Sequence, residues 1–238
     1  AVLFNIMGAV LSAQNKLQEA IKNYNKSIVI DPNYAQAYNN LGVCLYKSGK
    51  INESIYNYKK AIEIQPDDPN SRNNLGAAFK ELGENQKSIT CYEKAIEINP
   101  NHADSHNNLG TAFKELGEHE KSINCYQKAI DINPEHTDAH NNLGTLFKEL
   151  REFKKSIYHY EKAISHNPIS AVGYSNMGNA YRGLGEYRKA IDYYKKGIEV
   201  NPNYADAYFN LGALFEELNE FDKAIEQYQK IIKIEPNH

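Results

Sequence analysis

Tryptophan is absent from this chain, and its 238 residues hold only two methionines and three cysteines. Cys44, Cys91 and Cys125 are too few and too unpatterned for a disulfide framework, which points to free thiols in a reducing, cytoplasmic compartment. No apolar run approaches the roughly 20 residues that cross a bilayer, and mean hydropathy is −0.67, so no membrane partner is expected. The apolar start, Ala1 to Leu11, has no basic flank before it and does not read as a signal peptide. Charge of one sign is also lacking. With 27 basic against 30 acidic residues the net charge is −3, which implies no bulk attraction to nucleic acid. Nucleophile elbows, phosphate loops and zinc-protease motifs are missing. The acidic residues sit on expected exposed faces, so no catalytic residue, metal or cofactor is assigned.

Glycine and proline are sparse too, at 14 and 8 residues, but they are not scattered. Seven of the eight prolines stand at 32, 66, 100, 134, 168, 202 and 236, in steps of 34. Gly8, Gly42, Gly76, Gly110, Gly144, Gly178 and Gly212 keep the same step. Seven units of 34 account for the whole chain: 1–34, 35–68, 69–102, 103–136, 137–170, 171–204 and 205–238. A fixed period of this size signals a stacked solenoid, in which each unit touches its neighbours, and residues 1–238 form one such array.

Within each unit two amphipathic patterns follow one another. Unit positions 3, 7, 10, 11 and 14 share one helical face, and positions 17, 20, 21, 24, 27 and 28 share another. Position 21 is Ile in every unit and position 24 is Tyr in every unit, from Tyr24 to Tyr228. Between the two patterns stands a break such as Gly49, Gly83, Gly117 or Gly185, where glycine can take the left-handed backbone that ends a helix. The proline stops the second helix at the residue before it. The glycine at position 8 falls in mid-helix, where it costs about 1 kcal/mol relative to alanine. Its recurrence predicts a close crossing by the tyrosine-bearing second helix. The expected fold is therefore all-α, with fourteen antiparallel helices in seven helix-turn-helix hairpins.

These residues resemble the tetratricopeptide repeat. Leu41-Gly42, Leu75-Gly76, Leu109-Gly110 and Leu143-Gly144 supply its Leu-Gly pair, and Phe79, Phe113, Phe147, Tyr181 and Phe215 its following aromatic. The small residue at position 20, Tyr at 24, Ala at 27 and Pro at 32 complete the pattern. The family's Trp at position 4 is replaced by Phe4, Tyr38, Arg72, His106, His140, Tyr174 and Tyr208. Those choices, with the phrase Asn-Asn-Leu-Gly, look like the superhelical repeats of O-linked N-acetylglucosamine transferases. The resemblance implies a right-handed superhelical α-solenoid whose first helices line a concave groove.

Position 6 of the unit is the best functional clue. It is Asn40, Asn74, Asn108, Asn142, Asn176 and Asn210, with Ile6 in the first unit. Asn is a poor helix former, and its carboxamide can pair with both N–H and C=O of an extended peptide whatever its side chains. The resemblance implies that role: a ladder of amides that grips a protein or peptide partner by its backbone. The same amides could instead bond one another or neighbouring helix ends. Lys80, Lys114, Lys148 and Arg182 at position 12 form a basic line beside them, which could select acidic side chains, or could be ordinary solvated surface beside Glu81, Glu115 and Glu149. His102 with His106, and His136 with His140, have a spacing that could hold a metal, but helix-start and packing roles suit them better.

Helix one is apolar nearly all round, with Val2, Leu3, Phe4, Ile6, Met7, Val10 and Leu11, and the last unit ends on Ile231, Ile232 and Ile234 without a polar cap after Pro236. This suggests a fragment of a longer protein, or self-association through Val2, Leu3, Ile6 or the C-terminal helix. Repeat six, with Gly173, Gly183 and Gly197, is expected to bend or loosen the stack. The expected function is a protein-interaction scaffold; a substrate-recruiting arm of a larger enzyme such as a glycosyltransferase is the alternative, and self-assembly the second.

Overall fold

A computed structural model describes residues 1–235; Pro236, the last proline of the period, lies outside the described residues. Fourteen helices run in chain order: α1 Val2–Ala13, α2 Leu17–Ile30, α3 Ala35–Lys47, α4 Ile51–Ile64, α5 Pro69–Glu81, α6 Asn85–Ile98, α7 Ala103–Glu115, α8 His119–Ile132, α9 Thr137–Glu149, α10 Phe153–His166, α11 Ala171–Gly183, α12 Tyr187–Val200, α13 Ala205–Glu217 and α14 Phe221–Ile234. There is no strand among the described residues. The chain is an all-α repeat solenoid of helical hairpins, as the period requires.

Each hairpin closes on one residue in the left-handed region. Gly49, Gly83, Gly117 and Gly185 hold φ between 74° and 76°, while Asn15, Arg151 and Asn219 hold φ near 60° at the equivalent position. The second helices end at the residue before the period proline: Asp31, Asn99 and Asn201 have extended backbone there. The next first helix is then started by a local acceptor where one exists. Asp68 accepts from the backbone N–H of Asn70 and Ser71, Ser170 from Gly173, His102 from Ser105 and His136 from Ala139.

Four of the seven residues that replace the family's Trp have a shared task. Arg72, His106, His140 and Tyr208 each donate to the carbonyl of the proline six residues earlier, at 3.0–3.2 Å. A polar tip at position 4 therefore ties the turn between repeats to the start of the following helix. It does so at Pro66, Pro100, Pro134 and Pro202.

The crossing predicted from the recurrent glycine is present in all seven hairpins. A Cβ built on Gly8, Gly42, Gly76, Gly110, Gly144, Gly178 or Gly212 would lie 2.5–2.9 Å from the ring of Tyr24, Tyr58, Tyr92, Tyr126, Tyr160, Tyr194 or Tyr228 respectively. Real Cβ atoms do not approach so closely. Glycine at position 8 is thus the half of a lock-and-ring pair that lets the tyrosine lie flat against the first helix. Six of the tyrosines are buried, and loss of water raises the hydroxyl pKa of Tyr24, Tyr92 and Tyr194 to about 12. Lysine at position 19 covers the aromatic at position 11: Lys87 lies over Phe79, Lys121 over Phe113, Lys155 over Phe147, Lys189 over Tyr181 and Lys223 over Phe215, at 5.1–5.4 Å.

The contacts gather into two compact units, Ala1–Ile132 and Asn133–His238. In the first, α1 packs on α3, α3 on α5 and α5 on α7; in the second, α9 packs on α11 and α11 on α13. Among the described residues of each unit, second helices touch only the first helices beside them. Within each unit the first helices therefore form the crowded inner layer and the second helices the spread outer one. On α1, Val2, Leu3 and Ile6 are exposed.

Candidate functional site

Asn40, Asn74, Asn108, Asn142, Asn176 and Asn210 all lie on the inner layer, and all are half-buried. In the first unit they form a hydrogen-bonded row. Asn40 Nδ2 donates to Asn5 Oδ1, Asn74 Nδ2 to Asn39 Oδ1 and Asn108 Nδ2 to Asn73 Oδ1, each at 3.0 Å. In the second unit Asn210 Nδ2 donates to Ser175 Oγ at 3.1 Å. Every one of these links joins residues 35 apart. Position 6 of one repeat thus bonds position 5 of the preceding repeat, because neighbouring first helices are offset by one residue relative to the 34-residue period. Asn142 is likewise engaged.

One N–H of each linked amide is used in this way, which leaves a second N–H on each. The carbonyl oxygens differ. Asn40 Oδ1 accepts from Gln36 at 3.0 Å and Asn108 Oδ1 weakly from Asn107 at 3.4 Å, whereas Asn74 and Asn210 show no further side-chain bond among the described residues. A pocket of about 280 Å³ opens beside the row between α1 and α3, lined by Ser12, Tyr24, Asn40, Val43 and Lys47 among others. Its walls mix an amide, a hydroxyl and an ammonium with apolar surface, a lining suited to a short stretch of polypeptide. A larger pocket, about 380 Å³, lies on the first hairpin among Phe4, Lys22, Asn25, Lys26, Val29 and Ile30, and none of the position-6 asparagines lines it.

The basic line keeps the same offset. Lys80 Nζ pairs with Glu115 Oε1 at 3.0 Å, and the Arg182 guanidinium pairs with Glu217 at 2.7–2.8 Å, again 35 residues apart. Tyr187 adds a hydroxyl donor to Glu217 at 2.9 Å. Hydrogen bonds from Tyr187 and then Arg182 hold the Glu217 carboxyl below its ordinary pKa. Lys114 is engaged, while Lys148 has no ion pair among the described residues. Sequence reading singled out the cations and overlooked their partners. The carboxylate that meets Lys80 is Glu115 of the next repeat, not the adjacent Glu81.

The histidines split by position. His102 and His136 cap helices, and His106 and His140 tie turns. His140 also belongs to a buried cluster in the second unit. Because its Nε2–H donates to the Pro134 carbonyl, its Nδ1 is the acceptor for His159 Nδ1–H at 3.1 Å. The ring of His159 stacks on Phe147. Burial, then the neighbouring His140, lowers the His159 pKa to about 4. No group of three or more His, Cys, Asp or Glu among the described residues could hold a metal ion. The three cysteines are free, and burial pushes the Cys125 thiol up to about 11. No helix among the described residues is long and apolar enough to cross a membrane.

Helical hairpins locked by a glycine–tyrosine crossing and stacked with inner first helices define a class of repeat scaffold. The chain belongs to the tetratricopeptide-repeat family: a TPR-repeat profile matches residues 8–49, 43–83, 78–117 and 110–151, and a tetratricopeptide-repeat profile matches residues 137–169, 171–204 and 205–238. Its fold is similar to that in the crystal structure of the APC/C hetero-tetramer Cut9-Hcn1, with a TM-score of 0.82 and 19% identity over 99% of this chain and 46% of that one. It is also similar to PilF of Pseudomonas aeruginosa (TM-score 0.74, 20% identity, 86% of this chain and 93% of that one). YrrB, described as a TPR protein with an unusual peptide-binding site, matches with a TM-score of 0.59 and 23% identity over 76% of this chain and 93% of that one. No curated protein sequence matches the chain. Membership of this family is consistent with a protein-interaction scaffold.

Proposed function

We propose that the inner layer of each unit binds an extended segment of a partner protein, held through its main chain by Asn40, Asn74 and Asn108 in the first unit and by Asn142, Asn176 and Asn210 in the second. The observation that carries this reading is the row of linked amides. The link to the preceding repeat fixes the orientation of the Asn40, Asn74, Asn108 and Asn210 carboxamides before any ligand arrives, so little of their side-chain freedom is lost on binding. The second N–H of each amide, and Oδ1 where it is not engaged, then match the alternating C=O and N–H of an extended chain. YrrB offers a precedent of fold, since it is described as having a peptide-binding site. The basic line of Lys80, Lys114, Lys148 and Arg182 biases which side chains are accepted. The protein works in this reading as a non-catalytic scaffold.

The test is binding of the whole chain to an array of random 12-residue peptides. One neutral hydrogen bond contributes about 1 kcal/mol, roughly a factor of five in affinity. A single Asn→Ala change is therefore expected to weaken binding several-fold and the six-fold change to abolish it, with helix content by circular dichroism retained. Undiminished binding by a folded six-fold variant would refute the reading.

A further inference from the structure

One junction in the second unit lacks both of the links that tie other neighbouring first helices together. Asn141, on α9, stands where Asn5, Asn39 and Asn73 accept a bond from the next repeat, yet its Oδ1 is buried with no hydrogen-bond partner. Asn176, 35 residues on, makes no side-chain hydrogen bond among the described residues, although its counterpart Asn210 does. Seven residues along α9 from Asn141, about 10 Å at 1.5 Å per residue, stands Lys148. Its counterparts Lys80 and Arg182 each meet a glutamate from the following repeat. Here the facing position is Gly183, and a Cβ built on it would lie 2.3 Å from the ring of Phe153. In the next junction the residue equivalent to Phe153 is Tyr187, whose hydroxyl donates to Glu217. The aromatic ring has thus taken the space that a carboxylate-bearing side chain would need.

Among the described residues the junction thus leaves Lys148, a half-exposed residue, without an ion pair, and Asn176 without a side-chain bond, with the Phe153 ring packed against Gly183. We infer that this junction is the acid-reading position of the second unit: an Asp or Glu side chain of the bound segment supplies to Lys148 the carboxylate that Gly183 cannot, while Asn176, whose carboxamide is not tied to Asn141, meets the main chain next to it. Lys148 and Asn176 then gain the partners that their counterparts find within the protein. Arg182 does not compete for the acid, because Glu217 already neutralises it. The inference rests on the proposed peptide binding and sharpens it from a basic line to a single cation.

The probe is an array of random 12-residue peptides with amidated C-termini, so that side chains carry the only carboxylates. The whole chain is expected to retain peptides with Asp or Glu at one fixed position. Replacement of that residue by Asn or Gln should weaken binding about 3- to 10-fold, and Lys148→Glu should turn the preference to Lys or Arg. Lys148 is half-exposed, so this variant is expected to fold, and circular dichroism checks it. Retained peptides with no acidic preference, or an acidic preference that survives Lys148→Glu, would overturn the inference and leave the amide reading standing. Binding that appears only when the peptides carry free C-termini would overturn it as well, by assigning the carboxylate to a chain end. Failure to retain any peptide, or retention unaffected by the combined Asn142→Ala, Asn176→Ala and Asn210→Ala change, would remove the proposed function and this inference together.

Discussion

Gly178→Ala sets helix propensity directly against packing. Gly178 lies in the middle of α11, where alanine should stabilise the helix by about 1 kcal/mol. Its Cβ, however, would sit 2.5 Å from Cε1 and 2.6 Å from Cδ1 of Tyr194, against the 3.4 Å at which ordinary contact begins. The ring must therefore retreat by most of an ångström. Tyr194 is fully buried and packs in a cluster with Ile157, Met177, Leu211 and Leu214, so there is no space behind it. Overpacking of this kind costs about 1–3 kcal/mol. The retreat also breaks the bond from the Tyr194 hydroxyl to Asn179 Oδ1, now 2.8 Å, for about another 1 kcal/mol. The net expectation is destabilisation by about 1–3 kcal/mol. Urea unfolding read by circular dichroism, fitted with a nearest-neighbour repeat scheme because repeat arrays need not unfold in one step, measures it. In a Tyr194→Leu background the same change should lose its penalty, which gives a coupling of about 1–2 kcal/mol between the two sites. If Gly178→Ala instead stabilises the protein, the ring does not dictate the glycine, and the account of all seven crossings fails with it.

Acid should weaken the second unit through its histidine cluster. His159 is held neutral, with a folded pKa of about 4 against an ordinary value near 6.5. Its contribution is present in full above about pH 6.5 and is lost as pH falls through 4; urea midpoints between pH 7.5 and 4 should fall in the native protein and fall less in His159→Phe, with His140 and His166 the other imidazole rings of the cluster. A turn residue offers a gain: Arg151 holds φ 61° where four other hairpins have glycine, so Arg151→Gly should raise stability by about 0.5–1 kcal/mol, and no rise in the urea midpoint would contradict this.

The period was enough to read the hairpins, the turn glycines and the glycine–tyrosine crossing, because each of these is settled inside one unit by steric rules that repeat with it. The partners of the inner-layer polar residues were less legible. Asn40 and Asn5, or Lys80 and Glu115, sit 35 residues apart rather than 34, and that offset comes from how adjacent first helices slide against each other. Helical periodicity within a unit carries no information about such sliding. The task of Arg72, His106, His140 and Tyr208 was hidden for a different reason. Their side chains share little beyond a donor near the tip, so a comparison by residue type shows variation where the geometry shows one function.

The uniform offset has an evolutionary corollary. At junctions built on paired asparagines the donor and acceptor are interchangeable between copies, so excision of residues 69–102 would bring Asn108 against Asn39 with the same chemistry that Asn74 supplies there now. Whole repeats can be duplicated or lost at such seams without any compensating substitution. The seam at Asn141 and Gly183 has no interchangeable counterpart, so recombination there would carry its unmatched groups into a new context; it divides the array into a stretch free to change length and a place whose neighbours are specified.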